Sequence, residues 1–255
     1  MNSSFIYQSH PQKIVFGAGS LAGCAREVEL LGSRRAFILA TPQQRTLADQ
    51  VAALLGLAAV AIFDQAVMHV PAEVATRACE IAANCDVDCL VAVGGGSTTG
   101  LAKAIALRTG LPILAIPTTY AGSEMTSIYG ITESNLKRTG RDARVLPRTV
   151  IYDPALTAGL PVGMSMTSGI NAIAHAAEGL YAPDSNPIMA LMAEEGIRSM
   201  RLALPTLYAS AHNAQARSQA LYGAWLCGSV LGNVGMGLHH KLCHTLGGTF
   251  NLPHA

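Results

Sequence analysis

The sequence predicts an α/β domain built on a parallel sheet, followed by an all-helical domain. Two observations carry that expectation. Up to about residue 155, short apolar runs alternate with helix-length segments. Beyond Asp153-Pro154 those runs cease, and long Ala-, Met- and Leu-rich stretches take over. A length of 255 residues suits two domains of roughly 100–200 residues each. The boundary is expected between an α/β domain of residues 1–156 and a helical domain of residues 157–255.

The strand candidates are Ile14–Phe16, Ala36–Leu39, Ala59–Phe63, Cys89–Val93 and Ile113–Ile116. Each is a continuous apolar run rather than an alternating one, as expected of strands covered on both faces. Between them lie helix-length segments such as Pro71–Asn84, opened by a proline suited to a first helical turn. Strand–helix alternation implies crossover connections and a parallel sheet. After the boundary, Ser165–Tyr181, Asn186–Tyr208 and Asn213–Leu231 read as helices.

Half of the residues are hydrophobic, 13% are charged, and the formal net charge is +1. Such a chain buries a large core and is not disordered. Its charge argues against nucleic acid or an anionic membrane surface as the main partner. Few charges on so apolar a chain point to a subunit contact, and a homodimer is expected. Cys24, Cys79, Cys85, Cys89, Cys227 and Cys243 form no CxxC pair and read as buried thiols of a reducing compartment. Residues 1–13 lack the apolar core of a signal peptide. The longest uncharged apolar stretch, Val51–Phe63, is shorter than the ~20 residues of a membrane span. A cytoplasmic protein is therefore expected.

Three loops and a group of histidines are candidates for chemistry. Gly94-Gly95-Gly96-Ser97 follows a strand and precedes a helix-like segment, Thr98–Leu107. Glycines permit close backbone approach, and a helix start offers unpaired N–H groups and a positive dipole end, which together suit a diphosphate. The alternative is a tight turn chosen only for its geometry. Thr118-Thr119-Tyr120-Ala121-Gly122-Ser123-Glu124 follows the next strand and would lie beside the same crevice. Gly17-Ala18-Gly19-Ser20-Leu21-Ala22 fits G-x-G-x-x-A, but the acidic residue expected about 20 positions later is missing. It reads as a turn into a helix. Asn171 and His175 are four apart, as are His240 and His244, and four of the eight histidines fall in the last 17 residues, including His239 and His254. Helical pairs at that spacing suit metal ligation, proton transfer or oxyanion stabilisation. A lone histidine is more often structural.

Taken in order, these motifs are Gly-Gly-Gly-Ser, Pro-Thr-Thr-x-x-x-Ser-Glu, Gly-x-x-Ala-x-x-His-Ala-x-Glu, His-x-x-x-His and Asn-x-Pro-His. The set resembles that of the iron-containing alcohol dehydrogenases over the whole chain. The runs Ile116–Thr126, Gly94–Ala104 and Gly237–Gly247 resemble its maleylacetate reductase branch. The resemblance implies a Rossmann-like nucleotide-binding domain, a helical domain of the dehydroquinate synthase kind, and an active site in the cleft between them. It also implies that the helical domain is truncated, because relatives continue about 100 residues past the Pro-His segment. NADH or NADPH is the implied cofactor, held by Gly94, Gly95, Gly96, Ser97, Thr98, Thr118 and Thr119. Members of the branch reduce the carbon–carbon double bond of maleylacetate to 3-oxoadipate during aromatic-compound degradation.

Two departures from the family pattern bear on the chemistry. The family's metal ligands are Asp, His, His and His. Here Asn171 stands at the Asp position, with His175, His240 and His254 at the others. A neutral amide is a weaker ligand for a hard cation than a carboxylate, so no metal is expected. The Asp that commonly follows the glycine loop is Thr99, which lowers negative charge near the cofactor and admits NADPH as well as NADH. The expected catalytic set is His175, His240, Lys241, His244 and His254. It would act on a small dicarboxylate substrate by stabilising an enolate and supplying a proton. The rivals are a metal-dependent alcohol dehydrogenase, a lyase of the dehydroquinate synthase kind and a nucleotide-binding protein without turnover.

Overall fold

The structure is a computed structural model describing residues 4–133 and 136–250. The chain divides into two compact units: residues 11–118 with 127–156, and residues 1–10 with 119–126 and 157–255.

The first unit holds a six-stranded parallel sheet. Its strands are β1 (Lys13–Phe16), β2 (Ala36–Leu39), β3 (Ala59–Phe63), β4 (Cys89–Gly94), β5 (Ile113–Pro117) and, after the hairpin strands β6 (Ile128–Glu133) and β7 (Leu136–Arg141), β8 (Thr149–Tyr152). The sheet order is β1-β8-β5-β4-β2-β3, and every pairing is parallel. The helices are α1 (Cys24–Leu30), α2 (Arg45–Leu55), α3 (Ala72–Asn84) and α4 (Gly96–Thr109). Alternate residues of one strand reach opposite cores, as the pleat requires. Phe37 and Leu39 join Leu101 and Ile105 of α4 on one face. Ile38 joins Val28 of α1 and Val51 of α2 on the other.

The apolar runs at β2, β4 and β5 are buried along their length. β1 and β3 are not, because they are the two edge strands. Pro71 caps α3 instead of entering it, and α4 begins two residues earlier than expected, at Gly96. Sequence patterning misses β8, and it misses the β6–β7 hairpin because β7 is Leu-Lys-Arg-Thr-Gly-Arg and almost wholly exposed. The buried Lys103 of α4 donates from Nζ to the Ile128 carbonyl at 2.7 Å, tying that hairpin to the sheet layer.

Chain order supplies a switch point. β2 leads to β3 on one side, while β4 lies on the other. Open parallel sheets bind ligands at the carboxyl ends of strands where the order reverses in this way. The glycine loop follows β4.

The second unit is helical: α5 (Val162–Tyr181), α6 (Pro187–Ala209), α7 (Ala214–Asn233) and α8 (Leu238–Phe250). Asn186 and Asn213 cap α6 and α7, their side chains accepting from the N–H groups of Met189 and Ala216. Residues 4–10 and 119–126, expected with the sheet, cluster with these helices instead. One cause is glycine packing. Gly122 lies against Gly228 of α7, and the Met125 carbonyl occupies the space a side chain at Gly232 would need. No described helix is long and apolar enough to cross a membrane. Only Cys24, Cys89 and Cys227 are fully buried; Cys79 and Cys85 are half-buried and Cys243 is exposed. Burial pushes the three buried thiols up to about 12, so they stay protonated and inert.

The Gly17–Ala22 turn is filled by the protein itself. The Asp153 carboxylate accepts from the N–H groups of Gly19 (3.1 Å), Leu21 (3.1 Å) and Ala155 (3.0 Å). Donors that a phosphate would need here are thus already used. Asp153→Ala should lower stability by about 2–4 kcal/mol through loss of three hydrogen bonds to a buried carboxylate, measured by denaturant unfolding. A midpoint equal to wild type would contradict this account of the turn.

Candidate active site

In the sheet unit, three loops converge at the switch point. Gly94 ends β4 with φ of 144°, a conformation open mainly to glycine. A Cβ there would lie 2.5 Å from the Thr98 hydroxyl oxygen. The Gly94 carbonyl accepts from the Thr118 N–H at 3.1 Å, and Gln44 Nε2 donates to Thr118 Oγ1 at 3.2 Å. Gln44 follows β2 and Thr118 follows β5, so the loops after β2, β4 and β5 are bonded together.

Gly95 caps α4, and the first turn of that helix contains no acidic residue. Its first N–H groups lack intrahelical partners. Among the described residues, the Thr98 hydroxyl oxygen is buried and has no hydrogen-bond partner. An unpaired buried hydroxyl beside free N–H groups and a positive helix end fits an anionic, oxygen-rich group such as a diphosphate.

In the helical unit, α5 carries Asn171 and His175, and α8 carries His240, Lys241 and His244. His175 and His240 are both buried. Their rings stack with centroids 4.7 Å apart and planes inclined by 28°. His240 Nδ1 is hydrogen-bonded to the Glu178 carboxylate, whose other oxygen accepts from the His239 N–H at 3.0 Å. Asn171 is half-buried, while Lys241 and His239 are exposed. Lys241 follows His240 and so lies about 100° further round α8. His254 lies outside the described residues. Among the described residues, no three His, Cys, Asp or Glu side chains are placed to hold one metal ion.

Sequence patterning alone assigns Glu178 no role, although it ends the His-Ala-x-Glu motif. The available signal was its spacing, because positions 175 and 178 share one helix face. Sequence patterning also misses the buried Arg217, which donates from Nη1 to the hydroxyl of the buried Tyr120 at 3.1 Å. Neither a single arginine in an Ala-rich helix nor a tyrosine in a polar loop announces burial.

Both motif groups are thus placed by a single architecture, a parallel α/β unit and a helical unit, and the comparisons define its class. Residues 11–154 match the profile described as iron-containing alcohol dehydrogenase, and residues 165–255 match that of the Fe-containing alcohol dehydrogenase family, C-terminal. The chain belongs to the iron-containing alcohol dehydrogenase family. Within it, the chain is 62% identical over 253 residues to the maleylacetate reductase of Burkholderia cepacia, covering 99% of this chain and 72% of that one. The crystal structure of maleylacetate reductase from Agrobacterium tumefaciens superposes with a TM-score of 0.97 at 56% identity. That from Rhizobium sp. strain MTP-10005 does so with 0.97 at 57%. Each match covers 99% of this chain and 72% of the solved one.

The Glu178 pair makes a pH prediction. Burial alone would raise this carboxyl, but the hydrogen bond and charge of His240 and the N–H groups of His240 and His239 outweigh it and hold it below the usual range. A depressed carboxyl stabilises the fold above its unfolded value, and the contribution is lost as pH falls through the folded one. Glu178→Gln should therefore cost about 1–3 kcal/mol at neutral pH. The gap to wild type should narrow below about pH 4.5, the ordinary glutamate range. Thermal unfolding of both proteins across pH checks this, and a gap constant with pH would contradict it.

Proposed function

We propose that this chain reduces the carbon–carbon double bond of maleylacetate to give 3-oxoadipate, with NADH or NADPH as reductant. One observation carries the reading: 62% identity over 99% of the chain to an enzyme of that name. The geometry of the two motif groups supports it. The cofactor's diphosphate belongs at Gly94, Gly95, Gly96, Ser97 and Thr98, with Thr118 and Thr119 beside it. Support comes from the unpaired Thr98 hydroxyl and from the start of α4 at the sheet's switch point. When bound, the reduced nicotinamide supplies a hydride.

The residues of the helical unit supply charge and a proton. Reduction of an enone moves negative charge to its ketone oxygen, so N–H donors and cations aimed there lower the barrier. The Glu178 carboxylate orients the His240 ring through Nδ1 and balances a positive charge on it. Chemistry on the substrate then falls to His240 Nε2, with His175 stacked beside it. A protonated imidazole can both stabilise the enolate and deliver the second hydrogen. Lys241 and His244 follow on α8, and with His254 they complete the proposed set. An exposed lysine favours approach of a dianionic substrate.

No metal takes part in this reading. The family's carboxylate ligand is replaced by Asn171, which removes one unit of negative charge from the ligand set. The imidazole pair supplies the charge stabilisation that a Lewis acid would give.

Two experiments test the proposal. Nicotinamide absorbance should fall with maleylacetate and change far less with simple aldehydes or alcohols. Activity should survive EDTA in protein carrying little bound metal. A stoichiometric ion whose removal abolishes turnover would move His175, His240 and His254 to ligation. Gly95 has an extended backbone (φ −91°) that a β-branched residue can adopt. Gly95→Val should therefore fold yet bind NADH at least about tenfold more weakly, through lost backbone approach. Unchanged NADH affinity would place the diphosphate elsewhere.

A further inference from the structure

Arg217 is the largest fully buried side chain among the described residues, only 1% exposed. Among the described residues, its hydrogen-bond acceptors include no carboxylate. Nε donates to the Ala211 carbonyl at 2.9 Å and Nη2 to the Leu160 carbonyl at 2.9 Å. Nη1 donates to Ser165 Oγ at 2.7 Å and to the Tyr120 hydroxyl at 3.1 Å. Burying a cation among neutral groups is costly. An apolar side chain of similar volume would fill the space without that cost, so stability alone does not account for an arginine here.

Its partners show what it joins. Leu160 lies just before α5, the helix that carries His175, Ser165 lies in its first turn, and Ala211 precedes α7. Tyr120 is fully buried and belongs to the loop of residues 119–126. A planar guanidinium with donors in a rigid fork holds such partners in one mutual geometry. Two residues after Tyr120, Gly122 adopts φ of 78°, and a Cβ on it would lie 3.6 Å from His175 Nδ1 and 3.1 Å from the Gly228 Cα. This loop backbone therefore runs directly beside the His175 ring. Where Tyr120 sits decides how close Gly122 comes.

We propose that Arg217 is a positioning residue that, through the Tyr120 hydroxyl, sets the place of the 119–126 loop against His175. Its catalytic consequence rests on the reading of His175 given above; its structural consequence does not. Tyr120→Phe removes the single hydroxyl and keeps the ring. Ser165→Ala removes a second bond to the same guanidinium without touching the loop. Amide hydrogen exchange and steady-state kinetics on the full chain compare the two.

In Tyr120→Phe, exchange across residues 119–126 should rise about tenfold while that of α6 is unchanged. Its kcat for maleylacetate should fall about tenfold, as small misplacements do. Ser165→Ala should lose as much thermal stability with much smaller changes in loop exchange and kcat. Wild-type loop exchange in Tyr120→Phe would overturn the proposal. So would kcat losses that simply track Tm in both variants. If the wild-type protein reduced no maleylacetate, the functional reading would fail, and the exchange comparison alone would decide whether Arg217 holds the loop.

Discussion

A parallel sheet buried on both faces sends every strand-to-helix turn to one edge, and the loop cluster proposed to hold the cofactor depends on that constraint. With helices packed on each face, residues on β2, β4 and β5 have no polar surface to present. Polar chemistry is therefore confined to the loops. The order reversal between β3-β2 and β4-β5 then gathers Gln44, Gly94 and Thr118 into one bonded group. Two glycine turns follow strands here, and they have opposite fates. Asp153 fills the one after β1. The one after β4 keeps a buried hydroxyl without a partner.

The helical unit shows two ways of keeping charge inside a low-dielectric interior. Glu178 is paired with an imidazole and a backbone N–H, and the pairing holds the carboxyl ionised. Arg217 is surrounded by neutral oxygens fixed by the ends of helices and by one tyrosine. Both arrangements are expensive unless fully satisfied. Both lie around the same buried histidine: Glu178 through the stacked ring of His240, and Arg217 through the loop that carries Gly122.

Asn171 is central to the proposed reading of this histidine pair. In a site with a carboxylate at that position, imidazoles serve best as neutral ligands. In the proposed reading Asn171 removes that carboxylate, and the Glu178 carboxylate that meets His240 Nδ1 remains to balance charge on the ring. In that reading the histidines keep their places and handle charge and protons in place of ligation.

Hydrophobic run lengths and glycine placement were enough to determine the parallel α/β unit, its glycine loop and the three long helices that follow. Each of these is a local consequence of side-chain period or backbone freedom. The edge positions of β1 and β3, the polar β6–β7 hairpin and the transfer of residues 119–126 to the helical unit were not readable in that way. They depend on which surfaces meet, and no local pattern records that. The same holds for the site. The spacing of His175 and His240 marked them as candidates, but their stacking joins residues 65 positions apart. The Tyr120–Arg217 bond spans 97. Only the packing of α5, α7 and α8 brought these groups into contact, because pairing energy between buried polar groups exists only once the fold has excluded water around them.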